Sequence, residues 1–439
     1  MTAHRFLAEI DAAVFARPHG IVRTVGRGRI DATGPCAAIG DLCEIGDGPS
    51  PLFAEIVAVD ESRVVLMPLE TARAVVPGAR VRRLFGQGLA VVGDGFAGRA
   101  VDALGRPIDG RGAIQARCEA PLDSALPPPL DRVTPRRAIT TGIRAIDGLL
   151  TLGAGQRIGI FAASGVGKTS LIEQLARQVE CDRCILCLVG ERGREVEAAW
   201  RDVGSRPDAA RYTMVAATSD ETAPMRARSV SYALALAAYW RDRGEHVLLI
   251  IDSITRFAMA LRELGLTAGE PPTVRAYTPN VFAELPRIVE RCGAVASGGA
   301  ITGVVTVLSE TDDVDDPIVE TMKSLLDGHI VLSRTLAERG HFPAIDVSRS
   351  ISRLAASLMT VEHARAARDA ITALGIYNEA RMLIDSGVYK PGANPALDRA
   401  IARREALLPV LQQGQTEHVS FEASVAALQR AMAGERRHA

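Results

Sequence analysis

The pattern of apolar and polar residues changes along the chain. From residue 19 to 83, short strand-like runs such as GIVRTVG, AEIVAVD and RVVLMPL are separated by turn residues. Short strands at this spacing predict a small all-β domain that closes into a barrel. Further along, the apolar runs RIGIFA, CILCLVG, HVLLIID and ITGVVTVLS alternate with helical stretches. That alternation is typical of parallel strands covered by helices on both faces, so we predict an α/β domain after the barrel.

The start of the chain is predicted to be helical. Phe6, Ile10 and Val14 recur at helical spacing, and Pro18 ends the stretch. The resulting short amphipathic helix would pack its apolar face on the protein itself or dock a partner.

These patterns divide the chain into four segments. We expect a partner-docking helix at residues 1–18 and a β-barrel domain at residues 19–83. An α/β domain is expected at residues 84–360 and a C-terminal helical domain at residues 361–439. A proline-rich connector lies between residues 120 and 140. In the last segment, Asn394 and Pro395 form a pair typical of a helix cap and first turn.

The composition favours a folded globular protein without a nucleic-acid partner. The net charge is −1, from 51 basic and 52 acidic residues, so no strongly basic face is indicated. Aromatic residues make up only 4% of the chain, which leaves few side chains on which bases would stack. Glu9 and Asp11 interrupt the apolar start, and no apolar stretch approaches ~18 residues. We therefore expect a cytoplasmic protein.

The seven cysteines favour a reducing compartment, because they are an odd number scattered through a long chain. Cys181, Cys184 and Cys187 form a CxxCxxC pattern that would suit a metal cluster. They also run into the apolar stretch ILCLVG, which favours the alternative of buried cysteines on a strand.

A glycine-rich turn lies between an apolar strand and an amphipathic helix. In that context backbone N–H groups and the start of the helix converge on phosphate oxygens. Lys168 would neutralise the terminal phosphates, and Thr169 would offer its hydroxyl to Mg²⁺. Alanine stands at position 162, where the strict pattern has glycine. The sequence predicts a nucleotide-binding loop formed by Ala163, Ser164, Gly165, Val166, Gly167, Lys168, Thr169 and Ser170.

Two carboxylates follow apolar strands. HVLLIID delivers Asp252 at the carboxyl end of its strand, where open parallel sheets place their ligands, and Asp252 would hold Mg²⁺ through water. VGERGRE ends another strand with Glu191, followed by Arg192. A carboxylate at that point would polarise an attacking water, although such pairs are usually solvated ion pairs.

The order of the motifs resembles a known family. The chain contains six motifs in this order: ASGVGKTS, VGERGREV, IIDSITRFAMALRE, AGEPP, LDGHIVLSR and HFPAIDVSRSISR. The chain is similar to the catalytic-subunit superfamily of rotary ATP synthases and, within it, resembles the type III protein-export ATPases. The resemblance covers roughly residues 19 to 415. It implies a barrel, a RecA-like ATPase domain with a parallel sheet, and C-terminal helices, and it implies hydrolysis of ATP with Mg²⁺.

The resemblance assigns roles to residues of the nucleotide site. Lys168 matches the loop lysine, Thr169 the Mg²⁺ hydroxyl and Asp252 the aspartate of the Mg²⁺ site. Glu191 matches the carboxylate that activates water, with Arg192 beside it.

The resemblance also assigns three residues further along the chain. Arg353 matches an arginine finger that reaches the site of a neighbouring subunit. Phe342 matches an aromatic residue that lies against adenine, and Tyr389 is expected to complete that pocket. RAYTPNVF stands where RGYPPSVF is usual in the family.

Because one chain carries both the base and the finger, identical copies suffice, and a homohexameric ring is expected. The resemblance implies a cytoplasmic ring, peripheral to the inner-membrane export apparatus, that releases chaperones and unfolds substrates at an export gate. The implied partners are a regulator or stator at residues 1–18, export-gate membrane proteins and chaperone–substrate complexes.

A flagellar system is favoured over a virulence-type injectisome. A hexameric RNA helicase and a rotary ATP synthase subunit are weaker alternatives. The helicase would need exposed aromatic residues in its N-terminal domain, whereas residues 19–83 contain only Phe53.

Overall fold

The computed structural model describes residues 19–26, 28–48, 50–70, 75–84, 88–116, 118–123, 126–308 and 316–433. The helix predicted at residues 1–18 lies outside this range.

Six antiparallel strands close into the predicted barrel, in the order β1-β2-β5-β4-β3-β6. Alternate residues face its interior, where Val22, Ile56 and Leu66 are buried, because side chains alternate between the two faces of a strand. The strands are β1 (His19–Gly26), β2 (Arg29–Thr33), β3 (Leu42–Ile45), β4 (Leu52–Val59), β5 (Val64–Pro68) and β6 (Arg80–Arg83).

The predicted parallel sheet follows the barrel. Its main path runs β18-β17-β11-β16-β14-β12-β13-β8, and the pairs from β17 to β8 are all parallel. The short β18 is antiparallel at one edge, β15 and β10 extend the start of β16, and β7 pairs with β9 apart from the sheet. The strands are β7 (Leu89–Val92), β8 (Arg99–Val101), β9 (Cys118–Pro121), β10 (Arg132–Val133), β11 (Arg157–Ala162), β12 (Arg183–Glu191), β13 (Tyr212–Thr218), β14 (His246–Asp252), β15 (Gly293–Val295), β16 (Ala300–Leu308), β17 (Gly328–Val331) and β18 (Ile351–Ser352).

Helices cover both faces of this sheet, as predicted. The helices are α1 (Arg144–Leu149), α2 (Lys168–Gln178), α3 (Gly193–Gly204), α4 (Ala223–Arg241), α5 (Ile254–Ala268), α6 (Pro279–Arg291), α7 (Pro317–Leu325), α8 (Arg334–Glu338), α9 (Ala355–Leu358), α10 (Val361–Asp385), α11 (Pro395–Leu411) and α12 (Phe421–Ala433). On one face α2 and α3 share a core with α10, α11 and α12. On the other face α4 to α7 bury a second core.

The C-terminal helices begin where the sequence indicates. Asn394 Oδ1 accepts hydrogen bonds from the backbone N–H of Ala396 at 3.0 Å and of Leu397 at 3.3 Å. Pro395 occupies the first turn, where the N–H that proline lacks would have no helical partner. No helix among the described residues is long and apolar enough to cross a bilayer.

The CxxCxxC cysteines lie at and just before β12. Cys184 and Cys187 are buried, and they belong to the cores on opposite faces of the sheet. Burial raises the pKa of the Cys187 thiol to about 12 and that of Cys181 to about 11, so both thiols stay protonated at neutral pH. The interpretation as buried strand cysteines is confirmed for Cys184 and Cys187.

Candidate active site

The predicted phosphate loop joins the end of β11 to the start of α2. Gly165 and Gly167 have φ angles of 78° and 91°, a left-handed conformation that is costly for residues with a Cβ atom. Gly167 is the N-cap of α2, and no side chain caps that helix. The first N–H groups of α2 are therefore available to an anion. Ala162 is the last residue of β11, and no left-handed φ angle is needed there, which explains why alanine suffices.

A cavity of about 450 Å³ opens over this loop. Most of the predicted loop residues line it, whereas Val166 is buried beneath. The lining residues are Ala162, Ala163, Ser164, Gly165, Gly167, Lys168, Thr169, Ser170, Glu191, Arg192, Glu195, Arg256 and Leu308.

Two carboxylates converge on the loop lysine. Glu191 ends β12 and Asp252 ends β14, and these neighbouring strands are parallel, so both side chains meet at one edge of the sheet. Lys168 Nζ forms an ion pair with Asp252 Oδ1 and lies 3.8 Å from Glu191 Oε1. All three side chains are largely buried, with exposed fractions of 13% for Lys168, 9% for Glu191 and 7% for Asp252. The structure thus brings together the three charged groups that the sequence predicts at the site.

The environment of Glu191 favours a proton acceptor. Burial, and then the charge of Asp252, raise the pKa of Glu191 to about 7, while Lys168 and Arg256 oppose the shift. Its Oε1 atom is buried and has no hydrogen-bond donor within the part of the chain that the structure describes. A carboxylate whose pKa is raised to about 7 and whose Oε1 has no aligned hydrogen-bond donor among the described residues suits a general base.

Arg256 is a site residue that the sequence reasoning missed. It lies in the first turn of α5, and its Nε atom is 3.2 Å from Glu191 Oε1, without hydrogen-bond alignment. Gly190 makes this approach possible, because a Cβ atom there would lie 2.9 Å from Cδ of Arg256. The signal was present in the sequence as an arginine four residues after Asp252 and a glycine just before Glu191.

Thr306 is a second residue that sequence reasoning missed. It is fully buried on β16, and its hydroxyl donates a hydrogen bond of 2.6 Å to Asp252 Oδ1. The same oxygen forms the ion pair with Lys168 Nζ.

The two aromatic residues assigned to the adenine pocket lie in different surroundings. Phe342 is 47% exposed and lies against the loop, since a Cβ atom at Gly167 would be 3.5 Å from its Cε1. Tyr389 lies in the turn between α10 and α11, and its hydroxyl donates to Oδ1 of Asp398 at 2.8 Å. The structure therefore places Phe342, but not Tyr389, in contact with the phosphate loop.

Arg192 is the most exposed of the predicted charged residues of the site. Its side chain is 64% exposed and lies 3.9 Å from Glu195 at the start of α3. It lines the rim of the cavity, whereas Arg256 contacts Glu191 directly.

Arg353 lies at the opposite end of the sheet from the loop. Its N–H donates to the carbonyl of Asp327 at 2.9 Å, and its Nη2 donates to the carbonyl of Lys323 at 3.1 Å. Asp327 in turn donates from its N–H to the carbonyl of Arg157, the first residue of β11. The loop follows the last residue of that strand, Ala162, so at about 3.3 Å per residue the separation is roughly 20 Å. A guanidinium at that distance does not reach the loop of its own chain.

Comparison with known proteins places this constellation in a family. The model of the "ATP synthase alpha/beta family, nucleotide-binding domain" matches residues 142–352, and that of the "T3SS EscN ATPase C-terminal domain" matches residues 359–430. The flagellum-specific ATP synthase of Bacillus subtilis is 44% identical over 415 residues, which cover 93% of this chain and 94% of that protein. The chain belongs to the family of flagellar and type III secretion ATPases. The type 3 secretion system ATPase of Xanthomonas euvesicatoria, another member, is 41% identical over 96% of this chain and 95% of its own.

A solved structure of a family member has the same fold. The assembled ATPase EscN from the type III secretion system of enteropathogenic E. coli matches with a TM-score of 0.89 and 39% identity, over 94% of this chain and 100% of that one. A second EscN structure is in complex with its central stalk EscO. The family resemblance and the fold predicted from the sequence are confirmed, and the protein is an ATPase with a nucleotide substrate.

Proposed function

We propose that this ATPase works as a homohexameric ring that hydrolyses Mg²⁺-ATP to energise type III export of flagellar proteins. The observation that carries the proposal is the convergence of Lys168, Glu191 and Asp252 at the end of the phosphate loop. This arrangement combines a cation for the phosphates, a base for water and a carboxylate for the metal.

The residues present are suited to Mg²⁺. Thr169 and Glu191 line the cavity over the loop, and Asp252 is paired with Lys168 beside it. A hydroxyl and a carboxylate are hard oxygen donors of the kind that Mg²⁺ takes. No group of three or more His, Cys, Asp or Glu side chains among the described residues is placed to hold a metal alone. Mg²⁺ usually keeps several waters and takes its other oxygens from one or two protein side chains and from substrate phosphates. We assign Thr169 and Asp252 to hold it; when bound, the ion neutralises charge on the phosphate oxygens.

We assign Glu191 the role of general base. Its Oε1 atom would accept a proton from the water that attacks the γ-phosphorus, while the bond from that phosphorus to the ADP oxygen breaks. Lys168 would leave Asp252 for the phosphates. Phe342 would lie against the adenine, and Tyr389 remains a prediction for that pocket. Arg192, exposed at the rim, is assigned only to the outer edge of the site.

The finger role of Arg353 requires a second copy. Each chain carries its loop at one end of the sheet and Arg353 at the other, so a head-to-tail contact would complete each site with the neighbour's arginine. EscN is described as an assembled ATPase, which supports a ring of the present chain as well.

We infer flagellar export as the process served, on the 44% identity to a flagellum-specific relative. A virulence-type secretion system is the second candidate, because relatives of that kind reach 41%. The proposed partners are a regulator or stator at residues 1–18, export-gate membrane proteins and chaperone–substrate complexes. The proposed location is cytoplasmic and peripheral to the membrane. Nucleic acid is not among the proposed partners.

Mixing two inactive variants tests the composite site. Glu191→Gln and Arg353→Ala should each bind ATP and fail to hydrolyse it. Mixed in equal amounts before assembly, they should form intact Glu191–Arg353 interfaces at about a quarter of all contacts and regain activity in that proportion. If activity stays absent at every ratio while mixed rings form, the neighbour does not supply the finger.

Loss of motility on deletion of the gene, with restoration by the wild-type chain, separates the flagellar assignment from the injectisome assignment. Loss of effector secretion with motility intact would support the injectisome.

A further inference from the structure

The hydroxyl of Thr306 is buried next to the carboxylate of Asp252. The register pairs Ile251 of β14 with Val305 of β16, so the next residues, Asp252 and Thr306, lie side by side at the carboxyl edge of the sheet. Thr306 is fully buried, and its Oγ1 atom donates to Asp252 Oδ1 at 2.6 Å.

Packing alone does not account for threonine at this position. The neighbouring residues of β16, Val304, Val305 and Val307, are all buried valines. Valine at position 306 would fill the same volume without a polar atom. A buried hydroxyl costs free energy unless it is hydrogen-bonded, and Asp252 supplies the bond.

Lys168 and Thr306 share a single oxygen of Asp252. In the structure, Lys168 Nζ is paired with Oδ1. A triphosphate in the loop needs Lys168 on its own oxygens, so that ion pair must open. Thr306 then remains as the described partner of Oδ1 that does not have to move, because it is fixed within the sheet.

We propose that Thr306 is a positioning residue that holds the Asp252 carboxylate oriented toward Mg²⁺ after Lys168 has turned to the phosphates. This inference rests on the proposed function, since it assumes that Asp252 serves the metal of a Mg²⁺-nucleotide.

The test measures Mg²⁺ dependence of binding without turnover. A fluorescent, non-hydrolysable ATP analogue is titrated into the full-length protein at increasing Mg²⁺, and separately in EDTA. Thr306→Val should raise the Mg²⁺ concentration for half-maximal binding by about 10-fold or more, because loss of a partner that orients a metal ligand typically weakens metal affinity by that factor. Affinity in EDTA should stay at the wild-type value, and Thr306→Ser should restore the wild-type Mg²⁺ requirement.

Thr302→Val is the matched control. Thr302 is a buried threonine on the same strand, but its hydroxyl accepts from the N–H of Gly155 at 2.8 Å and contacts His246 Nε2 at 2.7 Å. This substitution should lower the thermal transition without changing the Mg²⁺ requirement. Where valine at 306 disturbs folding, Thr306→Ala removes the same hydroxyl and carries the same expectation.

Two results would overturn the inference. One is a wild-type Mg²⁺ requirement in folded Thr306→Val and Thr306→Ala. The other is an equal loss of analogue binding with and without Mg²⁺, which would mean that Thr306 supports the loop rather than the metal ligand. A parallel binding measurement on Lys168→Ala tests the proposed function separately from the role of Thr306. If the analogue still binds to Lys168→Ala, the nucleotide site itself is refuted.

Discussion

The raised pKa of Glu191 predicts how catalysis depends on pH. A general base must be deprotonated, and burial raises the pKa of Glu191 to about 7. The kcat/KM of the ATPase should therefore rise as pH passes through about 7 and level off above about 8. Substitution of Arg256 tests this dependence, because its Nε lies 3.2 Å from Glu191 Oε1 and its positive charge lowers the pKa of that carboxyl.

The size of the effect follows from the position of Arg256. An opposite charge this close lowers the pKa of a carboxyl by about 1 to 3. The Arg256 side chain is 34% exposed, so solvent screens it, and we take the lower end of that range. Arg256→Gln should move the midpoint of the profile upward by about one pH unit. At pH 7 the deprotonated fraction of Glu191 would fall from about one half to about one tenth, a loss of about five-fold that alkaline pH restores.

The assay is the initial rate of phosphate release at low ATP between pH 6 and pH 9, roughly spanning the two expected midpoints. Mg²⁺ is kept in excess so that protonation of the nucleotide itself does not change. Arg63→Gln is the matched control, because it removes an arginine that is paired with Asp60 in the barrel domain and not with Glu191. A uniform loss at every pH in Arg256→Gln would refute the reasoning and would mean that Arg256 does not act through the charge of Glu191.

Two further predictions concern the backbone. Gly190→Ala would place a methyl group 2.9 Å from Arg256 Cδ, at a residue whose φ is 67°, and would push the arginine away from Glu191. The pH profile should therefore shift upward as it does in Arg256→Gln. The double variant should show no additional shift, because both changes remove the same interaction. Ala276 has a φ of 60° without being glycine, a strain of roughly 1 to 2 kcal/mol. Ala276→Gly should therefore raise the thermal transition by about 2 °C in a melting curve, after the greater chain entropy of glycine is subtracted; a lower transition would contradict that strain.

The sequence predicted those parts of the site that follow directly from strand ends. Glu191 and Asp252 each end an apolar strand, and Lys168 follows the glycine-rich turn after a third. The carboxyl ends of parallel strands meet at one edge of the sheet. Their convergence therefore required no knowledge of the strand order. The barrel was predictable for a similar reason, because its alternating burial appears in the chain as alternating residue type.

The contacts of Thr306 and Arg256 depend on the packing of strands and helices that are distant along the chain. Thr306 lies within a continuous apolar run, and only the insertion of β16 between β11 and β14 brings its hydroxyl to Asp252. The Arg256 side chain reaches Glu191 by packing against Gly190 of β12. Tyr389 stays a prediction for the adenine pocket, and in the structure its hydroxyl donates to Asp398 Oδ1.

The separation of Arg353 from the loop has a consequence for the whole enzyme. The loop follows the end of β11, and Arg353 is hydrogen-bonded at the start of β17, which runs parallel to β11, so the two groups occupy opposite ends of the sheet. A head-to-tail contact joins the loop of one chain to the arginine of the next and leaves one unlike end unpaired on each of the two chains. Repetition of that contact by identical chains must close into a ring or continue as a filament, and in a closed ring every loop has a neighbouring arginine. The proposed dependence of hydrolysis on assembly therefore follows from the placement of two residues within a single chain.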